Sequence, residues 1–253
     1  MLIGLQLLNK QYIVAASTDN SIKIFDLLKS YMVSTLKRGE NADILLGVKY
    51  IKINNKNYIF THSLGGLIEL WKQNFNELMS VEDSPFRIKY QKCITKLSMV
   101  NNPYSNIKAY IDRTFAVFKS IQNQYLLIFS YTENHRDFSL MCYDILKDKF
   151  IFNRVNVHHD RIFTCTHYYN KHYKEDLLIT GSFDKLIKVW NISTNFEIMH
   201  KLKPDYIFVE NTYLLSECLL SFYHNIYIIT SAYELKSKGY NILYYNIFLD
   251  NDT

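Results

Sequence analysis

The chain has 253 residues, 48% apolar and 21% charged, with a formal net charge of +5, which suits a folded chain with one sizeable core and does not by itself call for nucleic acid. No apolar run approaches the roughly 18 residues of a membrane span, and MLIGLQLLNK has no basic segment before its short apolar stretch, which argues against a secretory signal. Cys93, Cys142, Cys165 and Cys218 stand apart with no CxxC pair, the pattern of reduced thiols, so a cytoplasmic or nuclear location is expected.

An internal repeat organises the chain. Residues 12–26, YIVAASTDNSIKIFD, place a turn at Ser17–Asn20 between two short apolar runs, the pattern of two strands joined tightly. LIGLQLLNK before it adds an outer strand and a turn, and Tyr31 to Leu36 adds a following strand. Residues 58–72, YIFTHSLGGLIELWK, fall in the same register, with Ser63 on Ser17, Gly65 on Asp19 and Trp71 on Phe25. Glycine at Gly65-Gly66 tolerates positive φ and preserves that turn. Residues 78–82 are expected to form an outermost strand. The pattern then loosens over 84–113, which contains Pro85, Pro103 and Asn101-Asn102; this segment reads as an insertion or a degenerate copy.

The repeat returns at Tyr125 to Asp144, where LLIFS and FSLMCYD flank a longer polar turn and Lys149 to Val155 adds an outer strand. The clearest copy is Leu177 to Ile192, LLITGSFDKLIKVWNI, which aligns with 12–26 without a gap: Ser182 on Ser17, Asp184 on Asp19 and Trp190 on Phe25. Glu197 to Leu202 closes it. The last copy, Leu214 to Leu249, reads as three strands with Tyr245 in the aromatic place and no fourth strand before Thr253. The landmarks Phe25, Trp71, Tyr143, Trp190 and Tyr245 are spaced 46, 72, 47 and 55 apart, so two gaps match a repeat of about 40–45 residues and two carry extra chain.

In the clearest copy Thr180 and Ser182 share one face of the first strand, Asp184 sits in the turn and Trp190 lies in the second strand. A turn carboxylate can accept hydrogen bonds from backbone N–H groups, a hydroxyl and an indole or imidazole, which ties strands together and catalyses nothing. This constellation resembles the core of a WD repeat, in which Gly-Ser-x-Asp precedes a strand ending in Trp-Asp. Here the motif is Gly181-Ser182-Phe183-Asp184 and Trp190-Asn191, the final Asp replaced by its amide. His158-His159 stands near the place of the family's Gly-His, without the Gly.

The resemblance implies an all-β chain, a WD-repeat β-propeller forming a single domain over 1–253. About five blades are recognisable, at 1–37, 44–83, 114–156, 158–203 and 213–249, with an insertion or degenerate blade at 84–113. It assigns His159 (or His158), Thr180 or Ser182, Asp184 and Trp190 to a buried network that fastens one blade. Ser17, Asp19 and Phe25 are the counterparts in the first copy, and Trp71 in the second. The implied function is a non-enzymatic scaffold or adaptor for protein–protein interactions within a multi-subunit complex. A three-stranded last blade leaves an edge exposed. The ring is therefore expected to be open or incomplete, or to be completed by segment 84–120 or by a strand from a protein partner; a truncated or divergent version of a longer chain is the other reading.

Competing chemistries are thinly supported. Cys165, His167 and His172 lack the paired spacing of a zinc site and read as a core cysteine with surface histidines. His158-His159-Asp160 comes without a nucleophile elbow, and the 7 glycines form neither GxGxxG nor GxxxxGK. No catalytic, cofactor-binding or metal-binding residue and no enzyme activity is expected, and no membrane partner. Arg87, Tyr90, Tyr104, Arg113 and Arg136 are of the types favoured in binding hot spots and mark the candidate partner-binding loops. Lys89, Lys92 and Lys96 with Arg87 and Tyr90 form the densest basic and aromatic patch. They carry the alternative, a subunit of an RNA-processing or ribosome-assembly complex that contacts RNA through a basic insertion.

Overall fold

The computed structural model describes residues 2–7, 10–38, 44–64, 66–73, 88–93, 110–132, 136–171, 173–184, 186–193, 197–202, 212–222, 225–234 and 239–247, with side chains over 12–38, 44–64, 66–72, 114–132, 136–171, 173–184 and 186–193. Every regular element among them is a β-strand. Tight turns between runs rich in Ile, Val, Tyr and Phe leave consecutive strands little choice but to pair with their neighbours, and each sheet is such an antiparallel meander.

Two compact units divide the chain, Met1–Arg113 and Thr114–Thr253. The first holds the sheet β1 (Leu2–Leu7), β2 (Lys10–Ala16), β3 (Ser21–Asp26), β4 (Tyr31–Lys37) and the sheet β5 (Leu45–Ile53), β6 (Lys56–Ser63), β7 (Ile68–Gln73), β8 (Ile88–Cys93). The second holds β9 (Tyr110–Lys119), which crosses the boundary, with β10 (Tyr125–Thr132), β11 (Phe138–Asp144) and β12 (Lys149–His158). It continues with β13 (Ile162–Asn170), β14 (Glu175–Ser182), β15 (Ile187–Asn191) and β16 (Glu197–Leu202), then the three-stranded sheet β17 (Thr212–Phe222), β18 (Asn225–Glu234), β19 (Gly239–Ile247).

Within segment 84–113, expected as an insertion or a degenerate blade, β8 pairs with β7 as the fourth strand of the second sheet. Sequence periodicity missed this strand because IKYQKC has too few apolar residues to alternate. The strand expected at 78–82 lies outside the described residues.

Turn chemistry follows the residues available. Asn54 and Asn55, at φ 47° and 62°, make the two-residue link between β5 and β6 with both residues left-handed, as the twist of a hairpin demands. The repeated serines open a recurrent turn: the backbone N–H groups of Ser17, Ser63, Ser120 and Ser182 donate to the carbonyls of Ser21, Leu67, Gln124 and Leu186 at 2.8–3.2 Å. In three of these turns the serine Oγ also accepts a backbone N–H, from Leu67, Gln124 or Asp184. Local side-chain bonding of this kind is why Ser sits at strand ends.

Where side chains are described, burial differs between strands of a sheet. β10 and β15 are buried throughout, whereas the fourth strands β4 and β12 are mostly exposed. In the first unit Tyr12, Val14, Ile22 and Ile24 cluster with Leu45, Val48, Ile59 and Trp71. In the second, Phe118, Ile128, Leu140 and Cys142 cluster with Ile162, Cys165, Leu178 and Trp190. Each such side chain contributes about 1.5–3 kcal/mol on burial, against about 1 kcal/mol net for a hydrogen bond. Apolar packing therefore carries the stability, and the polar contacts decide register.

One irregularity recurs four times. Where the third strand meets the fourth, the register slips by one residue at the aromatic landmark: Phe25 pairs with Met32, Trp71 with Tyr90, Tyr143 with Phe150 and Trp190 with Ile198. The preceding residues Ile24, Leu70, Cys142 and Val189 pair with Ser34, Lys92, Phe152 and His200. Each fourth strand thus carries one extra residue, a β-bulge at Val33, Gln91, Ile151 or Met199.

Candidate functional site

β12 of the third sheet ends at His158; in the fourth sheet β14 carries Thr180 and Ser182, the following turn carries Asp184, and β15 carries Trp190. His158 Nδ1 lies 2.8 Å from Asp184 Oδ2, and its Nε2 lies 2.8 Å from Thr180 Oγ1. Trp190 Nε1 donates to the same Thr180 oxygen at 3.0 Å. The His158 side chain is fully buried. Burial pushes the His158 imidazole below its ordinary value despite the pull of Asp184, and nearby Lys188 adds to the depression. Burial works against the Asp184 carboxylate, yet the His158 bond and the backbone N–H groups of His159 and Leu186 outweigh it and hold this group below the usual range.

A neutral imidazole with its proton on Nδ1 satisfies every partner. The indole N–H donates to Thr180, the Thr180 hydroxyl donates to Nε2, and Nδ1–H donates to the carboxylate. Asp184 also accepts from the N–H of His159 at 3.1 Å and of Leu186 at 3.0 Å, and Ser182 Oγ donates to the carbonyl of Asp160 at 2.8 Å. Strand ends, turn and preceding loop are fastened together by side chains whose polar atoms are already engaged.

The geometry chooses His158 and Thr180 from the alternatives the sequence leaves open. The His159 side chain is 77% exposed, 3.7 Å from Asp137, because the last residue of β12 points inward and the next has entered the loop. Ser182 serves the loop carbonyl and the turn, apart from the indole.

Residues 152–191, from within β12 to the end of β15, match the family model described as WD domain, G-beta repeat. The chain carries a WD repeat. Curated proteins give no match to it. The fold class is that of WD-repeat propellers, all-β with blade-like sheets of three or four strands.

The other blades keep the WD register and change the chemistry. In the second sheet, Trp71 Nε1 donates to Thr61 Oγ1 at 2.9 Å, as Trp190 does to Thr180. Gly65, aligned with Asp184, has no carboxylate, and the charge enters elsewhere: Glu69, aligned with Lys188, lies 2.6 Å from Arg38 with both side chains largely buried, and Thr61 Oγ1 donates to Glu69 at 3.4 Å. In the first sheet Ala15 and Phe25 replace the hydroxyl and the indole together, so no inner lock can form. There Asp19 is half exposed, pairs with Lys23 at 2.7 Å and accepts from Ser21, contacts that hold its carboxyl well below the usual range. Ser17 is half-buried and opens the turn. In the third sheet the register partner of Tyr143 is Leu127 and Phe129 takes the hydroxyl's place; Phe150 packs between Phe129 and Tyr143.

The final Asp of the motif has its own task. Asp26 Oδ1 accepts from the N–H groups of Leu28 and Lys29, and Asp144 Oδ1 from those of Leu146 and Lys147, all at 2.9–3.1 Å. Asn191 Oδ1 accepts from Ser193 at 2.9 Å. An amide keeps the one oxygen the turn needs, which explains why the Asp-to-Asn change leaves the fourth sheet intact.

A second buried clasp escaped sequence reasoning. Asp176 Oδ1 lies 2.9 Å from His167 Nε2, its Oδ2 accepts from the N–H of Ile121 at 2.6 Å, and its backbone N–H donates to Ser193 Oγ. His167 stacks on Phe118 with centroids 3.8 Å apart, so it is a packed, bonded side chain and not the surface histidine expected. Alternation around His167 suggested only a shared face with Cys165; the partner on the next strand and the Ile121 turn 55 residues from Asp176 leave no local trace. Cys165 is buried as expected, and His172 lies outside the described residues. No group of His, Cys, Asp and Glu able to hold a metal occurs among the described residues.

Of the candidate partner-binding residues, Arg136 is exposed just before β11. Tyr90 and Arg113 are placed by backbone in β8 and β9, and Arg87 and Tyr104 lie outside the described residues. Lys89 and Lys92 belong to β8, a paired fourth strand. Lys96, the third lysine of that basic patch, lies outside the described residues. No helix among the described residues is long and apolar enough to cross a membrane.

Proposed function

We propose that this chain is a non-enzymatic scaffold that mediates protein–protein interactions within a multi-subunit complex. The observation that carries the proposal is the state of its reactive side chains. Among the described residues, His158, Asp184 and Thr180 form an acid–base constellation whose members are all engaged in holding strands, with His158 out of reach of solvent. A general base needs a free nitrogen aimed at a substrate proton, and here both ring nitrogens are taken. Exposed apolar and aromatic side chains among the described residues include Leu28, Tyr31, Met32 and Val155, which are 74%, 48%, 48% and 59% exposed. Such side chains suit contact with other proteins.

The test is gentle affinity isolation of the tagged full chain from its own cells, followed by sizing and mass spectrometry. A partner in stoichiometric amount, retained in high salt and after nuclease treatment, supports the reading. A chain that elutes alone at monomer size overturns it. Loss of the partner on nuclease treatment would move the reading to an RNA-bound complex.

A further inference from the structure

We propose that the turn between β3 and β4 is a docking knob for a second protein whose surface offers an apolar cleft edged by a carboxylate. This inference rests on the scaffold reading above and names the contact. Leu27, Leu28, Tyr31 and Met32 are all exposed within six residues.

The third sheet makes the same turn from different residues. Asp26 and Asp144 each cap, through Oδ1, the N–H groups two and three residues further on. Ser30 and Asp148, at φ 56° and 54°, hold the same left-handed place, and Tyr31 and Lys149 pair back to the two capping residues. In the third sheet Ile145 is 8% exposed and Phe150 packs between Phe129 and Tyr143. The matching Leu27 is 43% exposed and the matching Met32 is exposed too. Tyr31 stands where the third sheet has a lysine. The backbone of this turn therefore does not call for apolar residues at its surface, because a run with Lys147, Asp148 and Lys149 builds it equally well.

Shape and charge describe the occupant. Successive residues of a strand face opposite sides, so Tyr31 and Met32 flank the turn and make it a projection that is apolar on both sides. A cleft suits it better than a flat surface. Lys147 pairs with Asp144 Oδ2 at 3.4 Å, whereas the matching Lys29 has its ammonium 5.7 Å from the Tyr31 ring centroid and pairs with no carboxylate among the described residues. A carboxylate on the partner completes it. The capped turn is already ordered, so docking costs it little conformational freedom.

The same charges argue against two copies meeting through this turn. Between Ser21 and Arg38 the one acid is Asp26, which is buried, so a two-fold contact would set the exposed Lys29 and Lys37 against their own kind. One lysine at the tip also falls short of the basic cluster by which an anionic membrane is held.

Photo-crosslinking and charge reversal on the full chain test the proposal. With p-benzoylphenylalanine replacing Tyr31, crosslinks in the complex isolated through a tag on this chain map to one protein, at a cleft bordered by an aspartate or glutamate. Leu28→Asp and Lys29→Glu keep the thermal midpoint and each lower recovery of that protein at least about 10-fold, whereas Lys29→Arg stays within about 2-fold. Replacing the partner's crosslinked carboxylate by lysine restores its recovery with Lys29→Glu.

A stoichiometric partner whose recovery either variant leaves unchanged, or that crosslinks only from elsewhere, overturns the docking site and leaves the scaffold reading standing. Crosslinks confined to this chain or a second copy overturn it as well. Binding of the purified chain to phosphatidylserine vesicles, abolished by Leu28→Asp, would put a membrane in the partner's place. Absence of any partner removes both readings.

Discussion

Arg38 and Glu69 lie 2.6 Å apart with side chains 3% and 14% exposed, in the blade whose turn has Gly65 where another has Asp184. The charge that left the turn reappears on the strand, in the place held by Lys188, so the two blades reach neutrality by different residues. Removing one member strands the other in a low-dielectric interior. Arg38→Met and Glu69→Leu should each cost about 3–5 kcal/mol. The double variant should cost far less than their sum, giving a large coupling in a double-mutant cycle followed by urea unfolding. Additive losses would show that the pair does not act as a unit.

Thr180 and Thr61 make a matched comparison. Thr180→Val keeps the shape but leaves both the Trp190 N–H and His158 Nε2 without their partner, whereas Thr61→Val strands the Trp71 N–H and withdraws only a long contact from Glu69. At about 1–3 kcal/mol for each buried group left unsatisfied, the first should cost roughly 2–4 kcal/mol and the second about half as much. His159→Ala should stay within about 0.5 kcal/mol, because its side chain is in solvent. Chemical denaturation of the three variants checks the ranking, and a larger loss at His159 than at Thr180 would refute the assignment of the lock.

Much of this was legible in the sequence, and the remainder was hidden for physical reasons. Asp184 and Trp190 follow from motif spacing because the lock lies mostly in one hairpin, where sequence distance approximates spatial distance. The choice of His158 over His159 could not be read, since it depends on where β12 ends, and a one-residue shift reverses which side chain points inward. Arg38–Glu69 and Asp176–Ile121 were invisible because their partners sit on different hairpins. β8 was read as part of an insertion or degenerate blade because IKYQKC lacks the apolar alternation by which strands are recognised.

The capping oxygens give a graded prediction. Asp26→Ala and Asp144→Ala each free two backbone N–H groups in an exposed turn and should cost about 1 kcal/mol, the usual worth of such a cap. Asp144→Asn should cost less than half of that, since Asn191 already performs the same task with an amide. Thermal melts of the four variants, with Asp26→Asn included, measure it. Equal losses for Ala and Asn would mean that charge, not the oxygen, holds the turn.

Acid sensitivity follows from three depressed histidines. Burial holds His62 down at about 4, and burial also lowers His158 against Asp184 and His167 against Asp176. In the unfolded chain these groups titrate near 6.5, so below that pH the unfolded state binds protons the folded state refuses. Their contribution is therefore complete above about 6.5 and is lost as pH falls toward the folded values. For His62 alone, falling through about 4 removes on the order of 3 kcal/mol. Unfolding midpoints in urea should hold steady from pH 8 to 7 and then fall progressively from pH 6.5 to 4. His62→Gln removes a titrating group and should flatten that slope in the transition reported by the first unit, while leaving the decline in the second unit in place. A midpoint that rises on acidification, or a slope unchanged by His62→Gln, would contradict the burial of neutral imidazole on which this prediction depends.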